Sequence, residues 1–392
     1  VACKVPEVPD DTGALTVQGI VVAVRDPDGT PNLDIDVFLG GGDRASPDSA
    51  GVVYYVEVPP GRTPVVIERP GHTVGYGAPT VVPQALSLSS VIVAPFDGVV
   101  QVLDPAAAVT IEGDGLRVEI PADALVVRQE PAVGPAELGW VSVDPADRGV
   151  IPGDLIGLTN DDDLAPIVID RAFATRGIAG EDDLSFAEGT IAIATVDLPV
   201  DSILVDGSLP ARVYQWSTSR AYWSDAGAAE IDPVERTATF STYGLGWFAV
   251  GAVAPPRSCV RGTVLNDAGG GLDGAEVRLV QDGILGVDRT TTVSGAFCLP
   301  IDPGATAALH LVGADADRST LYTWEGNVTG GSEVGDCASA ACVDLGVLDV
   351  APWEDADADR SWSGPGGDCD DADPDVNPNP TLGDGTFCGS PL

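Results

Sequence analysis

The chain has 392 residues, 60 of them acidic and 19 basic, for a formal net charge of −41. That balance excludes nucleic acid and anionic membrane surfaces as partners, because no basic field exists to displace their counterions. Hydrophobic residues make up 44%, ample for packed cores, while Gly (48) and Pro (32) together form about a fifth of the chain, so elements must be short and separated by frequent turns.

The N-terminal arm, residues 1–12, has no methionine, and none occurs elsewhere. The expectation is an exported protein of the cell surface or exterior from which a signal peptide has been removed. Val1-Ala2-Cys3 also fits the end of a lipoprotein signal, which would make Cys3 an acylated anchor and the only route to a membrane. Otherwise Cys3 is a spare thiol able to bridge subunits. No apolar run approaches the roughly 20 residues of a membrane-spanning helix.

From residue 13 the pattern is that of strands. Val17, Gly19, Val21 and Ala23 alternate with their neighbours, as do Leu116, Val118 and Ile120 further on, and then Val277 and Leu279. Runs of four to eight residues are cut by Asp-Pro, Pro-Gly, Asp-Gly and Gly-Gly pairs, which is turn chemistry rather than helix capping. The expected fold class is all-β, as tandem β-sandwich domains.

The segment 13–100 has a counterpart in 254–350. Val17-Gln18-Gly19, Asp28-Gly29, Val37-Phe38-Leu39, Gly51 and Pro60-Gly61 recur as Cys259-Val260-Arg261-Gly262, Gly269, Val277-Arg278-Leu279, Gly295 and Pro303-Gly304. This pattern resembles the carboxypeptidase regulatory-like module, and the resemblance implies a small transthyretin-like sandwich in each copy. It implies a fold and no chemistry.

Between the copies, 101–253 opens with Val109-Thr110-Ile111 and Leu116-Arg117-Val118-Glu119-Ile120-Pro121-Ala122-Asp123-Ala124-Leu125, and closes with Thr239 to Val250 around Trp247-Phe248. Both ends resemble a ZU5-type β domain. Inside it, Tyr214, Trp216, Tyr222 and Trp223 flank Ser217-Thr218-Ser219-Arg220, which predicts a hairpin with aromatics on both arms. Exposed, Trp216 and Trp223 would be a stacking platform for polysaccharide; buried, they hold the hairpin together, and a domain needing core aromatics favours burial.

In the second copy, Gly269-Gly270-Gly271-Leu272-Asp273-Gly274 matches G-x-G-x-x-G letter for letter. The alternating Ala275-Glu276-Val277-Arg278-Leu279 that follows is a strand, so no helix N-terminus exists to hold a pyrophosphate, and the glycines serve a turn. Besides Cys3, the cysteines are Cys259, Cys298, Cys337, Cys342, Cys369 and Cys388. Sequence proximity pairs Cys259 with Cys298, Cys337 with Cys342, and Cys369 with Cys388, one of many connectivities open to six cysteines. A zinc site is the weaker reading, because no C-x-x-C occurs and His72 and His310 lie far from the cysteines in sequence.

The tail, 351–392, holds ten acidic residues against one arginine and few aliphatic residues, too little apolar surface to order itself. Asp355, Asp357 and Asp359 alternate, followed by Asp368-Cys369-Asp370-Asp371-Ala372-Asp373. Carboxylates spaced this way converge on a hard cation, and calcium is the expected cofactor. The order resembles a metal-binding motif repeated in secreted proteins of myxobacteria and, more loosely, the calcium-wrapped repeats of thrombospondin. Arg360 stands where a glycine usually follows the third Asp.

Catalysis has little support: no G-x-S-x-G, H-E-x-x-H or P-loop occurs, and His72 and His310 are better read as structural. The expected role is a non-enzymatic structural or adhesive surface protein, a row of sandwiches that self-associates into a filament or binds other surface proteins. A polysaccharide-binding protein is the alternative, and a secreted hydrolase ranks last. If calcium orders the tail, limited proteolysis after chelation should cut beyond Ala351 while the upstream domains resist; identical digests with and without calcium would count against the ion.

Overall fold

The computed structural model describes residues 18–25, 34–40, 42–47, 51–143, 150–159, 163–180, 182–266, 268–281, 288–314, 320–348 and 350–354. The elements within them are β-strands, arranged as β-sandwiches in an all-β architecture.

The two copies of the sequence repeat share one topology. In the first, strand Gly19–Arg25 lies between Val52–Val56, antiparallel, and Leu86–Ile92, parallel. The facing sheet runs Asp43–Ala45, Asp36–Leu39, Val65–Glu68, Gly75–Gly77. In the second, Ser258–Val264 lies between Ala296–Ile301, antiparallel, and Val343–Leu348, parallel. Its facing sheet runs Asp288–Thr291, Glu276–Gln281, Thr306–Ala314, Thr320–Thr329 and then Ala351–Glu354. The matching V-x-L segments, Val37–Leu39 and Val277–Leu279, occupy equivalent strands. Pairing of Ala351–Glu354 with Thr320–Thr329 carries the second sandwich past residue 350, into the compositionally distinct tail. Likewise Gly98–Val102 already pairs with Ala136–Ser142 of the middle block. Backbone pairing needs only a few extended residues, so it need not stop where composition changes.

The middle block packs an eight-stranded sheet on a five-stranded one. The 16-residue strand Leu164–Ala179 is the spine of the larger sheet, pairing with Ala136–Ser142, Ile156–Leu158 and Gly246–Val253. Leu116, Val118 and Ile120 point into the core between the sheets, with Phe173, Phe240 and Phe248, as their alternation predicts. The opposite face of the large sheet is also apolar. Ile167, Ile169, Tyr214, Trp216, Trp223 and Trp247 line it, covered in part by Tyr76, Ala78 and Ile92 of the first sandwich.

Strand Gly19–Arg25 is likewise buried on both sides. Ile20, Val22 and Val24 fill the first sandwich's core, while Val21 packs on the outer face with Val52 and Leu86. A strand covered on both faces reads as a nearly continuous apolar run, which is what Ile20-Val21-Val22-Ala23-Val24 is.

The three bodies do not form a simple row, because the first touches both others. Toward the second sandwich, Leu88 N donates to Gly274 O at 3.0 Å, Ser90 N donates to Glu276 Oε2 at 2.7 Å, and Arg289 Nη1 donates to Ser90 O at 2.8 Å. Gly274 belongs to the G-x-G-x-x-G segment. It has φ +81°, and a Cβ there would lie 2.2 Å from Leu86 O. The turn reading of these glycines therefore gains a second reason: the last must let another domain's strand approach its backbone.

Gly274→Ala should weaken this contact. The left-handed backbone alone costs about 1–2 kcal/mol for an L side chain, and the clash with Leu86 adds to it. Hydrogen exchange should show loss of protection at Leu88 and Ser90 with little change in the middle block. Undiminished protection at both would refute the contact's dependence on glycine.

Candidate functional site

The Asp-rich cluster lies outside the described residues, so Asp355, Asp357, Asp359, Asp368, Asp370, Asp371 and Asp373 have no placement, nor do Cys3, Cys369 and Cys388. The other four cysteines lie together in the second sandwich, and their pairing corrects the sequence expectation. Cys259 bonds Cys342, with Cα atoms 4.7 Å apart, and Cys298 bonds Cys337, with Cα atoms 5.9 Å apart. The reason is register. Cys298 lies opposite Arg261 on the neighbouring strand, two residues from Cys259. On its other side the Cys259 strand runs parallel to Val343–Leu348, with Val260 opposite Val343, which brings the preceding Cys342 alongside Cys259. Cys337 sits at the start of the 336–342 turn, shaped by bonds from Ala338 N to Asp336 Oδ1 at 3.1 Å and from Ala341 N to Ser339 Oγ at 3.0 Å.

The two bridges touch: Cys298 Sγ and Cys342 Sγ are 3.9 Å apart. Cys259, Cys298 and Cys342 place their sulfurs within 4.8 Å of one another, and among the described residues they are the convergence of metal-ligating side chains. Cys259 and Cys342 are buried, Cys298 is half-buried and Cys337 is exposed. An open cleft of about 510 Å³ reaches Cys298 and Cys337, flanked by Arg261, Thr263, Thr290 and Asp344. Arg261 Nη1 donates to Cys337 O at 3.4 Å and its Nε to Asp344 Oδ2 at 3.3 Å.

Trp216 and Trp223 do form the predicted hairpin pair, directly opposite each other, with ring centroids 5.6 Å apart and nearly perpendicular. They are not a sugar platform. Trp216 is 6% exposed and Trp223 fully buried; Trp223 Nε1 donates to Pro152 O at 3.1 Å, and Tyr76 of the first sandwich lies 5.9 Å from Trp216. The alternative of burial is the one realised, because the sheet face that carries them is an interface between domains.

His72 Nε2 lies 3.1 Å from Arg69 Nη1, and its Nδ1 lies 3.0 Å from Pro70 O. His310 lies 3.8 Å from Glu325, and burial, aided by Arg278, holds its pKa below the ordinary imidazole value. Neither belongs to the cysteine group.

The residues that sequence reasoning missed are arginines. Arg62 spans the first sandwich and the middle block. Its Nη1 pairs with Asp154 Oδ2 at 2.8 Å, its Nε and Nη2 donate to Ala221 O at 2.9 and 2.8 Å, and its guanidinium lies 4.0 Å from the Tyr222 ring centroid. Arg257, 6% exposed, meets Asp288 at 2.9 Å and Asp302 at 2.8 Å. Burial pushes the Asp288 carboxyl up to about 6, against the pull of Arg257, with Asp154 and Asp302 adding to the rise. The one available signal was scarcity: a chain with 19 cations against 60 anions can bury acids only where an arginine reaches them.

Because the folded-state pKa of Asp288 lies above the unfolded one, the folded chain holds a proton that the unfolded chain has released between about pH 4 and 6. Its contribution is present below that window and is lost as pH rises through it. Asp288→Asn should remove this component, so that wild type and variant differ in the pH slope of the second sandwich's unfolding midpoint between pH 4 and 6. Parallel slopes in denaturant melts across that range would contradict the assignment.

No protein-family model and no curated protein matches the chain. Among solved structures, the TIE protein of Bacillus anthracis matches at 9% identity over 85% of this chain and 51% of its own, with TM-score 0.18; the chain thus spans about half its length. BcpA, the major pilin subunit of Bacillus cereus, matches at 9% identity over 84% of this chain and 98% of its own, TM-score 0.18. A streptococcal ancillary pilin matches at 11% identity over 84% and 98%, TM-score 0.16. At such TM-scores the likeness carries no functional argument.

Proposed function

We propose that this chain is a non-enzymatic structural protein of the cell surface or exterior, a rigid β subunit that associates with its own copies or with other surface proteins. The observation that carries the reading is that the first sandwich is seated against both of the other bodies. The first sandwich is joined to the second through Leu88, Ser90, Gly274 and Arg289, and to the middle block through Arg62 and through Trp247 Nε1, which donates to Val74 O at 2.7 Å. The apolar seating of Tyr76, Ala78 and Ile92 on the middle block suits a part that holds a shape under load, because hydrophobic interfaces restrain the relative motion that small polar ones permit. Two disulfides in one module suit an oxidising compartment, and a charge of −41 suits solubility outside the cell.

Calcium on the Asp-rich tail and acylation or bridging at Cys3 belong to the same reading as further proposals: the ion would order the acidic end, and Cys3 would tether the subunit or link it to a neighbour. Trp216 and Trp223 offer no face to a polysaccharide, since both rings are buried.

Analytical ultracentrifugation of the purified chain in millimolar calcium, with electron microscopy of the same sample, tests the proposal. Concentration-dependent multimers or filaments are expected. A monomer at every concentration that also hydrolyses members of a glycan and ester panel would replace it with an enzyme.

A further inference from the structure

We propose that Cys259, Cys298, Cys337 and Cys342, when reduced, form a tetrahedral thiolate site for a zinc-class d10 cation, so that the second sandwich has two exclusive closures, one by metal and one by two disulfides. The argument is geometric. Zinc–sulfur bonds of about 2.3 Å place tetrahedral sulfurs about 3.8 Å apart. Cys298 and Cys342, which are not bonded to each other, already stand 3.9 Å apart, and three sulfurs share a 4.8 Å neighbourhood. They come from separate elements: strand Ser258–Val264, strand Ala296–Ile301, and the turn before Val343–Leu348. The sheet thus fixes two ligands, Cys259 and Cys298, and the turn brings a third. Cys337, exposed on that turn at the mouth of the cleft, lies outside the three-sulfur group while it is bonded to Cys298; with that bond absent, its side chain would turn inward to take the fourth corner.

The surroundings suit the charge. Four thiolates around a divalent cation carry a net −2. Arg261 stands at the mouth between Asp344 and the Cys337 carbonyl; its charge is balanced by Asp344, and the shell's net −2 is relieved by water in the open cleft. The cleft gives the ion an entry path. A closed four-sulfur shell leaves no open coordination position, so the site is structural rather than catalytic.

In a newly made chain four thiols release four protons and form four sulfur–metal bonds. Oxidation follows by thiol–disulfide exchange with two equivalents of a disulfide oxidant. Four electrons leave the four sulfurs, forming Cys259–Cys342 and Cys298–Cys337; the oxidant is reduced to four thiols, taking up four protons, and the cation departs. The inference does not depend on the surface role proposed above.

The test uses the full chain with Cys3, Cys369 and Cys388 changed to Ser, reduced by a non-chelating phosphine and titrated with Co²⁺ and then Zn²⁺ in a large excess of Ca²⁺, which keeps the tail's carboxylates occupied. The expected result is one ion per chain, the visible absorption of tetrahedral cobalt thiolate, its loss on zinc addition, and protection of Cys259, Cys298, Cys337 and Cys342 from alkylation, mapped by mass spectrometry. Adding a disulfide oxidant should release the ion and yield the two bridges. Any of three results would overturn the proposal: no stoichiometric ion, an octahedral cobalt spectrum, or unchanged binding after Cys298→Ser with Cys337→Ser. Circular dichroism covers the case in which reduction unfolds the sandwich: zinc should restore the sheet signal, and failure to do so also overturns it.

Discussion

The open edge of strand Leu86–Ile92 sets the arrangement of the molecule. This strand pairs with Gly19–Arg25 on one side and would otherwise present a row of unsatisfied backbone groups on the other, a template for unwanted pairing. The second sandwich covers that edge at two points: Gly274 O takes the Leu88 amide, and Glu276 and Arg289 take the amide and carbonyl of Ser90. Because backbone groups make the contact, its geometry is strict, and Gly274 is the residue whose missing side chain allows it. The two copies of one fold are therefore not independent beads; one finishes the other's sheet.

Charge imposes the second constraint. In a chain with so few cations, arginine positions decide which carboxylates can leave water. Arg257 permits Asp288 to sit in the second sandwich's interior, and Arg62 permits Asp154 to sit at a domain junction. Replacing such a pair by apolar residues can be neutral, whereas removing one member strands the other's charge at about 3–5 kcal/mol. These pairs therefore specify orientation more than they add stability. Arg62 shows this directly, binding a carboxylate, a backbone carbonyl and an aromatic face at once, a geometry that lysine's compact ammonium would not reproduce.

The cysteine cluster sits on the part of the fold where topology repeats. Its strands are the central and flanking members of the three-stranded sheet, equivalent to Gly19–Arg25, Val52–Val56 and Leu86–Ile92 of the first sandwich, where no cysteine occurs among the described residues. In the first copy the parallel strand is held by its contacts with the second sandwich. In the second copy the parallel strand Val343–Leu348 is largely exposed, and the cysteines perform the holding covalently.

The strand class, the twofold repeat, the core-facing set Leu116, Val118 and Ile120, and the turn role of Gly269 to Gly274 are legible in the amino acids alone, because alternation and turn chemistry are local properties that survive without knowledge of neighbours. The pairing of Cys259 with Cys342, the seating of Trp216 and Trp223 against another domain, the burial of Ile20 and Val21 on opposite sides of one strand, and the need for Gly274 to lack a side chain emerge from the folded arrangement. Each of these depends on which strands become neighbours across dozens of residues, and separation along the chain carries no information about that adjacency.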